Sequence, residues 1–290
     1  MISATLYSDP ACPWAYSESP ALRVIEWRYG EQLDWRLVLV GLTERADQYA
    51  ARGYSPLRSA IGQLSFRRRY GMPFSPAPKT RLSATARACR AVIAARIQRP
   101  GSEWAVFRAI QLANFTTPLV LEDDDQLRAA LESVPGLDAG AAIAALDSPE
   151  VTAAYESDKA QTRGAAGTAA EFQGKTATTD GPVRYTAPSI VFACNGTELV
   201  AGGFQPVEAY DILIANLDPT LDRRRPPEAP EPLLAFFRGG LTTQEVAALM
   251  TRGNDAPDRR AAEAALLELL DTGGATRTPL GDDALWRAVA

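Results

Sequence analysis

One short stretch near the start of the chain has the residue types and the placement to do thiol chemistry. Cys12 is followed by Pro13 and Trp14 and comes soon after a strand-like segment, residues 3–8. A cysteine in the first turn of a helix meets free backbone N–H groups and the positive end of the helix dipole, and both favour a thiolate. Ala15 stands where the second thiol of a Cys-x-x-Cys pair would stand. The stretch therefore predicts an accessible, activated nucleophile with a single sulfur.

Other nucleophilic systems are limited by composition. The 290 residues include no histidine, which removes Ser-His-Asp and Cys-His schemes and histidine-containing metal sites. Cys89 lies on the apolar face of a predicted helix, and Cys194 ends a predicted strand. Both are interpreted as structural cysteines, with no disulfide to Cys12 and no metal site expected. Asp9 lies close to Cys12 in sequence and should oppose a lowered thiol pKa.

The elements that must position this thiol form an interrupted α/β pattern. The first strand, a helix that Pro20 should kink, and a second strand at 33–42 give a β-α-β start. Residues 43 to about 172 contain Ala-rich helical pieces, one of them with a predicted N-cap at Ser83. Two further β-rich runs joined by Asn195-Gly196 predict a hairpin, because Asn-Gly suits a type I′ turn. A last helix follows the hairpin.

The C-terminal part is set apart by composition. Three helical pieces, a Gly turn and an extended tail follow a Pro- and charge-rich segment, and this is the outline of a winged helix-turn-helix. Thr242 and Glu245 should form a capping box at the start of its second helix. Residues 219–290 carry nine arginines and no lysine against eleven acidic residues. The charge favours a packing or dimerisation module over a DNA-binding one.

Taken together, these motifs resemble the DsbA-like thioredoxin-fold family. The similarity is to its cytoplasmic type, which includes FrnE-like oxidoreductases, kappa-class glutathione transferases and 2-hydroxychromene-2-carboxylate isomerases. The motifs in order are "SDPACPWAY" after the first strand, Pro20 five residues beyond Ala15, "YTAPSIVF" containing Pro188, and "GGFQP" at 202–206. The resemblance covers residues 1–218 in outline.

The resemblance implies an α/β fold: a thioredoxin fold with a large all-α insertion, followed by the winged helix-turn-helix-like domain. The domain boundaries expected from it and from composition are 1–44 with 175–218 for the thioredoxin-like domain, 45–174 for the helical insertion, 219–232 for a linker and 233–290 for the winged-helix-like domain.

The resemblance also implies a substrate site beside Cys12. Pro188 should follow a cis peptide bond that leaves the backbone of Ala187 facing the thiol. Residues 70–87 should enter the helical domain there, with Met72 and Phe74 in an apolar wall around Pro73. Lys79, Thr80 and Arg81 follow in the same segment and should reach an acidic substrate group. The asparagine with which kappa-like relatives hold the cofactor backbone is absent, and Lys79-Thr80 stands there instead. "FRRRY", residues 66–70, is interpreted as a solvated helix face.

The function expected is that of a monothiol oxidoreductase. Cys12 would form a mixed disulfide with a low-molecular-weight thiol or a protein thiol, and a second external thiol would resolve it. Glutathione, mycothiol or a similar thiol would be a loosely bound cofactor. Three alternatives stay open. The site could position a thiol cofactor for transfer or isomerisation, the cleft could serve a non-catalytic adaptor, or Ala15 could have replaced a natural cysteine.

Charge and hydropathy restrict location and partners. The formal net charge is −5, so nucleic acid is not an expected partner, although redox-linked DNA binding is kept as a minor alternative. The chain opens without a signal-like segment and contains no apolar run of the roughly 18 residues that a membrane span needs. A cytoplasmic protein without a membrane partner is expected, with a homodimer through the C-terminal module as one assembly.

Overall fold

The computed structural model describes residues 1–75 and 77–289 and opens with the expected β-α-β unit. Its elements are β1 (Ile2–Ser8), α1 (Pro13–Ser17), α2 (Ser19–Tyr29), a 3-10 turn (Gly30–Gln32) and β2 (Leu33–Leu39). The helix expected as one kinked piece is divided at Glu18. Pro20 lies in the first turn of α2, where a residue without an N–H group breaks no intrahelical hydrogen bond.

The segment after β2 is helical. Its helices are α3 (Ala46–Ala51), α4 (Pro56–Tyr70), α5 (Ala86–Gln98), α6 (Glu103–Thr116), α7 (Asp124–Leu131), α8 (Ala139–Ala144), α9 (Pro149–Thr162) and α10 (Ala169–Phe172). The N-cap of α5 is Thr85, so the N-cap predicted at Ser83 is wrong by two residues. Across residues 1–75 and 77–289, no helix combines the length and the apolar character required to span a bilayer.

The chain then returns to the sheet. A short strand pair, β3 (Thr176–Ala177) and β4 (Arg184–Tyr185), precedes β5 (Ser189–Cys194), β6 (Thr197–Ala201) and α11 (Val207–Leu217). The strand order is β2-β1-β5-β6, with β1 parallel to β2 and antiparallel to β5. Asn195 and Gly196 both have positive φ, as a type I′ turn requires. This is a thioredoxin fold with a helical insertion.

The main core lies between one face of this sheet and the helices. Ile2, Leu6 and Ile190 from the strands pack with Val92 of α5 and Ile214 of α11, and all five are buried. A smaller cluster on Tyr7 and Val38 includes Cys12 and Ala15. The thiol segment is therefore held on a packed sheet, and its position is set by core residues on both sides.

The C-terminal residues form α12 (Glu231–Phe236), β7 (Leu241–Thr242), α13 (Thr243–Met250), α14 (Arg259–Asp271), β8 (Ala275–Leu280) and β9 (Asp283–Ala288). Their sheet has the order β7-β9-β8, and α12 begins inside the segment expected as a linker. The assignment of this unit to winged-helix proteins and the predicted domain boundaries stay predictions.

The C-terminal unit is docked on the thioredoxin domain. Val24 and Trp27 of α2 belong to the same buried cluster as Leu241, Val246 and Trp286. The segment before α12 runs along α2, where the Trp27 indole N–H donates to the carbonyl of Arg225 at 2.9 Å. Packing against the rest of the chain thus accounts for the buried apolar face of this unit.

Candidate thiol site

Cys12 lies where its sequence neighbours place it, at the N-cap of α1. Pro13 occupies the first helical position, and the Cys12 backbone is extended (φ −79°, ψ 117°). The Cys12 thiol donates to the carbonyl oxygen of Ala187 at 3.0 Å. The Ala187–Pro188 peptide bond is cis, as the resemblance implied. The fold thus brings together two segments that are separated by 175 residues in sequence.

Cys12 is less exposed, and the pKa of its thiol is higher, than the sequence predicted. Only 5% of the residue is exposed, and this burial raises the pKa of its thiol to about 12. The Ala15 and Trp14 N–H groups and the Arg184 guanidinium favour the thiolate, whereas the Asp9 carboxyl opposes it. The prediction of an accessible, activated thiol is wrong for this conformation. The loss of solvation outweighs the helix N-terminus, because a buried charge loses its water shell.

Asp9 is a buried carboxyl with a full set of donors. It accepts from the backbone N–H of Ala11 and of Leu42 at 2.9 Å each, and from the Thr85 hydroxyl at 2.9 Å. The Cys89 thiol donates to the same carboxyl at 3.5 Å. Burial raises the pKa of Asp9 despite these donors. Asp9 therefore fixes the β1–α1 loop to the loop after β2 and to α5.

The remaining cysteines occupy the positions expected of them. Cys89 is fully buried on α5, and burial raises its pKa well above the usual value. Cys194 is half-buried at the end of β5, and all three cysteines are free thiols. Neither lines the cleft into which Cys12 faces.

Cys12 lines a cleft of about 780 Å³ with a largely aromatic wall. Trp14, which is 43% exposed, packs edge-on against Phe66 with ring centroids 4.8 Å apart and against Phe204 at 5.8 Å. Tyr70 completes the wall at 4.7 Å from Phe204. Apart from Trp14, the sequence interpretation did not assign these residues to the site, and its placement of Phe66 and Tyr70 on a solvated helix face is wrong. Phe204 lies inside the GGFQP motif, and Phe66 and Tyr70 lie on one side of α4.

Met72 and Phe74 do not form this wall, which corrects the sequence prediction. Both are fully buried in a cluster with Tyr16 and Phe115. After α4 the chain turns at Gly71 (φ 76°), and the C-terminal unit covers the segment that follows. The Phe74 N–H donates to the Asp282 carboxylate at 3.0 Å.

Lys79 and Arg81 line the cleft, whereas Thr80 is exposed outside it, and their contact with an acidic substrate group stays a prediction. The Lys79 ammonium donates to the Asn114 side-chain oxygen at 2.8 Å and to the Leu119 carbonyl. Burial lowers the pKa of Lys79 to about 8. Arg81 pairs with Glu122 at 3.0 Å.

Glu18, between α1 and α2, is a second buried carboxyl near the site. One of its oxygens accepts from the Gln205 N–H at 2.9 Å and from the Tyr210 hydroxyl. Its other oxygen has no hydrogen-bond partner in the part of the chain that the structure describes. Burial raises the pKa of Glu18 to about 8. The Gln205 contact also gives the GGFQP motif a structural role, because it joins α11 to the helix pair that follows the thiol.

We expect Glu18→Gln to flatten the pH dependence of stability. A carboxyl whose pKa is higher in the folded than in the unfolded state stabilises the fold at low pH, and this contribution is lost as pH rises through the folded value. Between about pH 5 and about pH 8, the free energy of unfolding should fall by up to about 4 kcal/mol more for the wild type than for the variant. Urea unfolding at both ends of this range measures the difference.

The matched control for this experiment is Glu198→Gln, because Glu198 is exposed on β6. It should keep the wild-type pH dependence. Equal pH profiles for wild type and Glu18→Gln would show that Glu18 titrates as an ordinary carboxyl.

Comparisons with known proteins agree with this geometry. A family model described as a DSBA-like thioredoxin domain matches residues 5–179. The cytosolic disulfide reductase DsbM from Pseudomonas aeruginosa is similar in structure, with a TM-score of 0.52 and 19% identity over 74% of this chain and 98% of that chain. A second structure of that reductase contains GSH. A probable DsbA oxidoreductase from Streptomyces coelicolor gives a TM-score of 0.56 and 18% identity over 79% and 93%. At these identities the likeness shows the fold alone. A search of curated proteins found no match.

Proposed function

Since the chain belongs to the family of DsbA-like thioredoxin domains, we propose that it is a thiol-disulfide oxidoreductase that works with one thiol, Cys12. The observation that carries the proposal is the position of this thiol. Its sulfur lies at the N-cap of α1, 3.0 Å from the Ala187 carbonyl and beside the cis Ala187–Pro188 bond, and it lines the large cleft.

The reaction is an exchange in two balanced steps. The Cys12 thiolate attacks one sulfur of a disulfide, a mixed disulfide forms on Cys12, and the other half leaves as a thiolate that takes up a proton. A second external thiolate then attacks the mixed disulfide, which releases a new disulfide and restores the Cys12 thiolate. Ala15 has no sulfur, so the second step requires an outside thiol. A low-molecular-weight thiol such as glutathione or mycothiol, or a protein thiol, would fill that role.

The buried thiol sets the pH dependence of the first step. Because only the thiolate attacks and the pKa of Cys12 is raised to about 12, the reactive fraction is small at neutral pH. The N–H groups of Trp14 and Ala15 and the Arg184 guanidinium are the groups that stabilise the thiolate when it forms. The exchange rate should therefore rise about tenfold for each pH unit, without a plateau below about pH 10.

Intact mass spectrometry after exposure to oxidised glutathione tests the proposal. We expect one glutathionyl adduct, formed faster at each step between about pH 7 and about pH 9.5. Cys194→Ser should keep the adduct, because Cys194 lies at the far end of β5, and Cys12→Ser should lose it. The absence of an adduct at every pH, or an unchanged adduct on Cys12→Ser, would contradict the proposal.

A second candidate function is a non-catalytic binding protein that uses the same cleft. The observation that favours it is the buried, hydrogen-bonded state of Cys12, whose raised pKa disfavours the nucleophilic form. If the protein is an adaptor of this kind, the Cys12→Ser variant should bind the partner as tightly as the wild type does. The wild type should then form no adduct at any pH.

A further inference from the structure

The cleft at Cys12 carries positive charge that its own lining does not neutralise. Among the described residues that line it, seven are arginine or lysine and none is aspartate or glutamate. Arg81 pairs with Glu122, and Arg184 lies 3.5 Å from Asp180. Five of the seven make no ion pair within residues 1–75 and 77–289: Arg52, Arg58, Arg69, Lys79 and Lys175.

This contrasts with the rest of the chain, whose net charge is negative. Elsewhere, half-buried arginines are paired, as Arg87 is with Asp124, Arg96 with Asp158 at 3.2 Å and Arg108 with Glu245 at 2.7 Å. Of the five unpaired cleft cations, Lys79 is half-buried and the other four are exposed to solvent. An anion in the cleft would supply the missing partner charges.

The positive groups lie on more than one side of the cleft. Arg52, Arg58 and Arg69 belong to the α3–α4 region, whereas Lys79 follows in the loop before α5. Lys175 lies beside β3, far along the chain. Because like charges that line one cleft repel, a ligand with several negative groups would relieve that repulsion.

Two of the seven cations are shielded from solvent, because Arg184 is buried and Lys79 is half-buried. Arg184 is 5% exposed, and its Nη atoms donate to the Tyr185 carbonyl and the Thr179 hydroxyl at 3.0 Å each. Its Nε has no hydrogen-bond partner in the described part of the chain. Lys79 is held only by the neutral oxygens of Asn114 and Leu119. Asp180 supplies a counter-charge to Arg184, whereas Lys79 has only neutral acceptors, so a bound anion would supply the charge that Lys79 lacks.

The aromatic wall adds a second requirement on the ligand. Trp14, Phe66, Tyr70 and Phe204 line the same cleft, and a planar ring in a ligand can stack on such side chains. A ligand with a free ammonium group fits less well, because it would add a positive charge to a cleft whose described lining has seven cationic side chains and no carboxylate.

We infer that the cleft binds a polyanion with a planar ring and no ammonium group, and that this polyanion is the non-sulfur part of the thiol or disulfide that reacts at Cys12. The second half of this inference rests on the proposed function, and the first half does not. Arginine binds both phosphate and carboxylate groups through paired N–H donors, so either group can supply the negative charge. A thiol that ends in phosphates and a purine, as coenzyme A does, meets every requirement.

Isothermal titration of the full chain tests the inference, with coenzyme A, glutathione and benzene-1,3,5-tricarboxylate as probes. Coenzyme A should bind at least about tenfold more tightly than glutathione, and its affinity should fall about tenfold or more between about 50 mM and about 500 mM salt. The tricarboxylate shows whether carboxylates can replace phosphates. An affinity close to that of coenzyme A indicates that the cleft accepts any polyanion with a planar ring, and a lower affinity indicates a preference for phosphate.

A pair of neighbouring arginines on α4 provides the matched variants. Arg69 lines the cleft, whereas Arg68 is exposed outside it and makes no ion pair among the described residues. Arg69→Gln should weaken coenzyme A binding about three- to tenfold, as expected for one partly solvated charged hydrogen bond, and Arg68→Gln should change it less than twofold. Equal effects of the two variants, or coenzyme A binding no tighter than glutathione, would overturn the inference.

Cys12→Ser separates this inference from the proposed function. Unchanged coenzyme A affinity in that variant supports the polyanion site whether or not a Cys12 adduct ever forms. A Cys12 adduct with oxidised coenzyme A in the absence of saturable binding would overturn it.

Discussion

Ala15→Cys is expected to convert the site from one that needs an outside thiol into one that resolves its own mixed disulfide. Ala15 lies one helical turn from Cys12, and its backbone N–H points to the Cys12 sulfur. Residues at this spacing in a helix have Cα atoms about 5–6 Å apart, within the range that a disulfide spans. The new thiol would therefore attack the adduct from inside the protein, where an oriented group acts at a very high effective concentration.

The expected result is release of a preformed glutathionyl adduct at least about 10³-fold faster than from the wild type without added thiol. Intact mass spectrometry after removal of excess oxidised glutathione follows the reaction, which ends in an internal disulfide. Ala15→Ser is the matched control, because it adds one atom of similar size at the same buried position without a sulfur. An adduct that persists equally in all three proteins would show that the two side chains cannot meet.

The second large effect is expected in stability, from Arg108→Met. Glu245 is fully buried, and its two oxygens accept from Arg108 at 2.7 Å each. Although burial raises the pKa of Glu245, the Arg108 guanidinium brings it down to about 2. Removal of Arg108 leaves a fully buried carboxylate whose remaining cationic neighbour is Arg23 at 3.9 Å, so the free energy of unfolding should fall by about 3–5 kcal/mol.

Two further variants test this explanation by urea unfolding at neutral pH. Arg108→Met with Glu245→Gln should recover much of the loss, because the double variant has no unpaired charge. Arg128→Met removes an exposed ion pair with Asp125 on α7 and should cost less than about 1 kcal/mol. A loss from Arg108→Met no larger than that from Arg128→Met would contradict the buried-pair interpretation.

Sequence predicted correctly those backbone features that depend on a few neighbouring residues. Pro13 at the start of α1, the break near Pro20 and the Asn195-Gly196 turn each follow from backbone preferences of a few residues. The capping box of Thr242 and Glu245 is confirmed for the same reason. The cis bond before Pro188 came from the resemblance, because sequence preferences alone make such a bond rare.

The features that sequence did not predict depend on contacts between distant segments. Cys12 loses its solvation to neighbours from several elements, so a helix N-terminus alone could not decide its pKa. Met72 and Phe74 are covered by residues about 200 positions further along. The "FRRRY" segment was interpreted as one solvated face, but Arg67 pairs with Asp282 at 3.4 Å and Arg69 lines the cleft.

The positively charged cleft shows that the net charge of the protein is unevenly distributed. The formal charge of −5 divides into seven positive charges around the cleft and a charge of −12 over all other residues. Positive charge is therefore concentrated at the cleft, although Glu122 and Asp180 offset two of the seven charges there. A small anion far away meets net repulsion, and attraction takes over only within about a Debye length of the cleft mouth. The charge of the cleft should favour anions that approach the Cys12 sulfur from the cleft side. Added salt should weaken this preference as well as the affinity for anions.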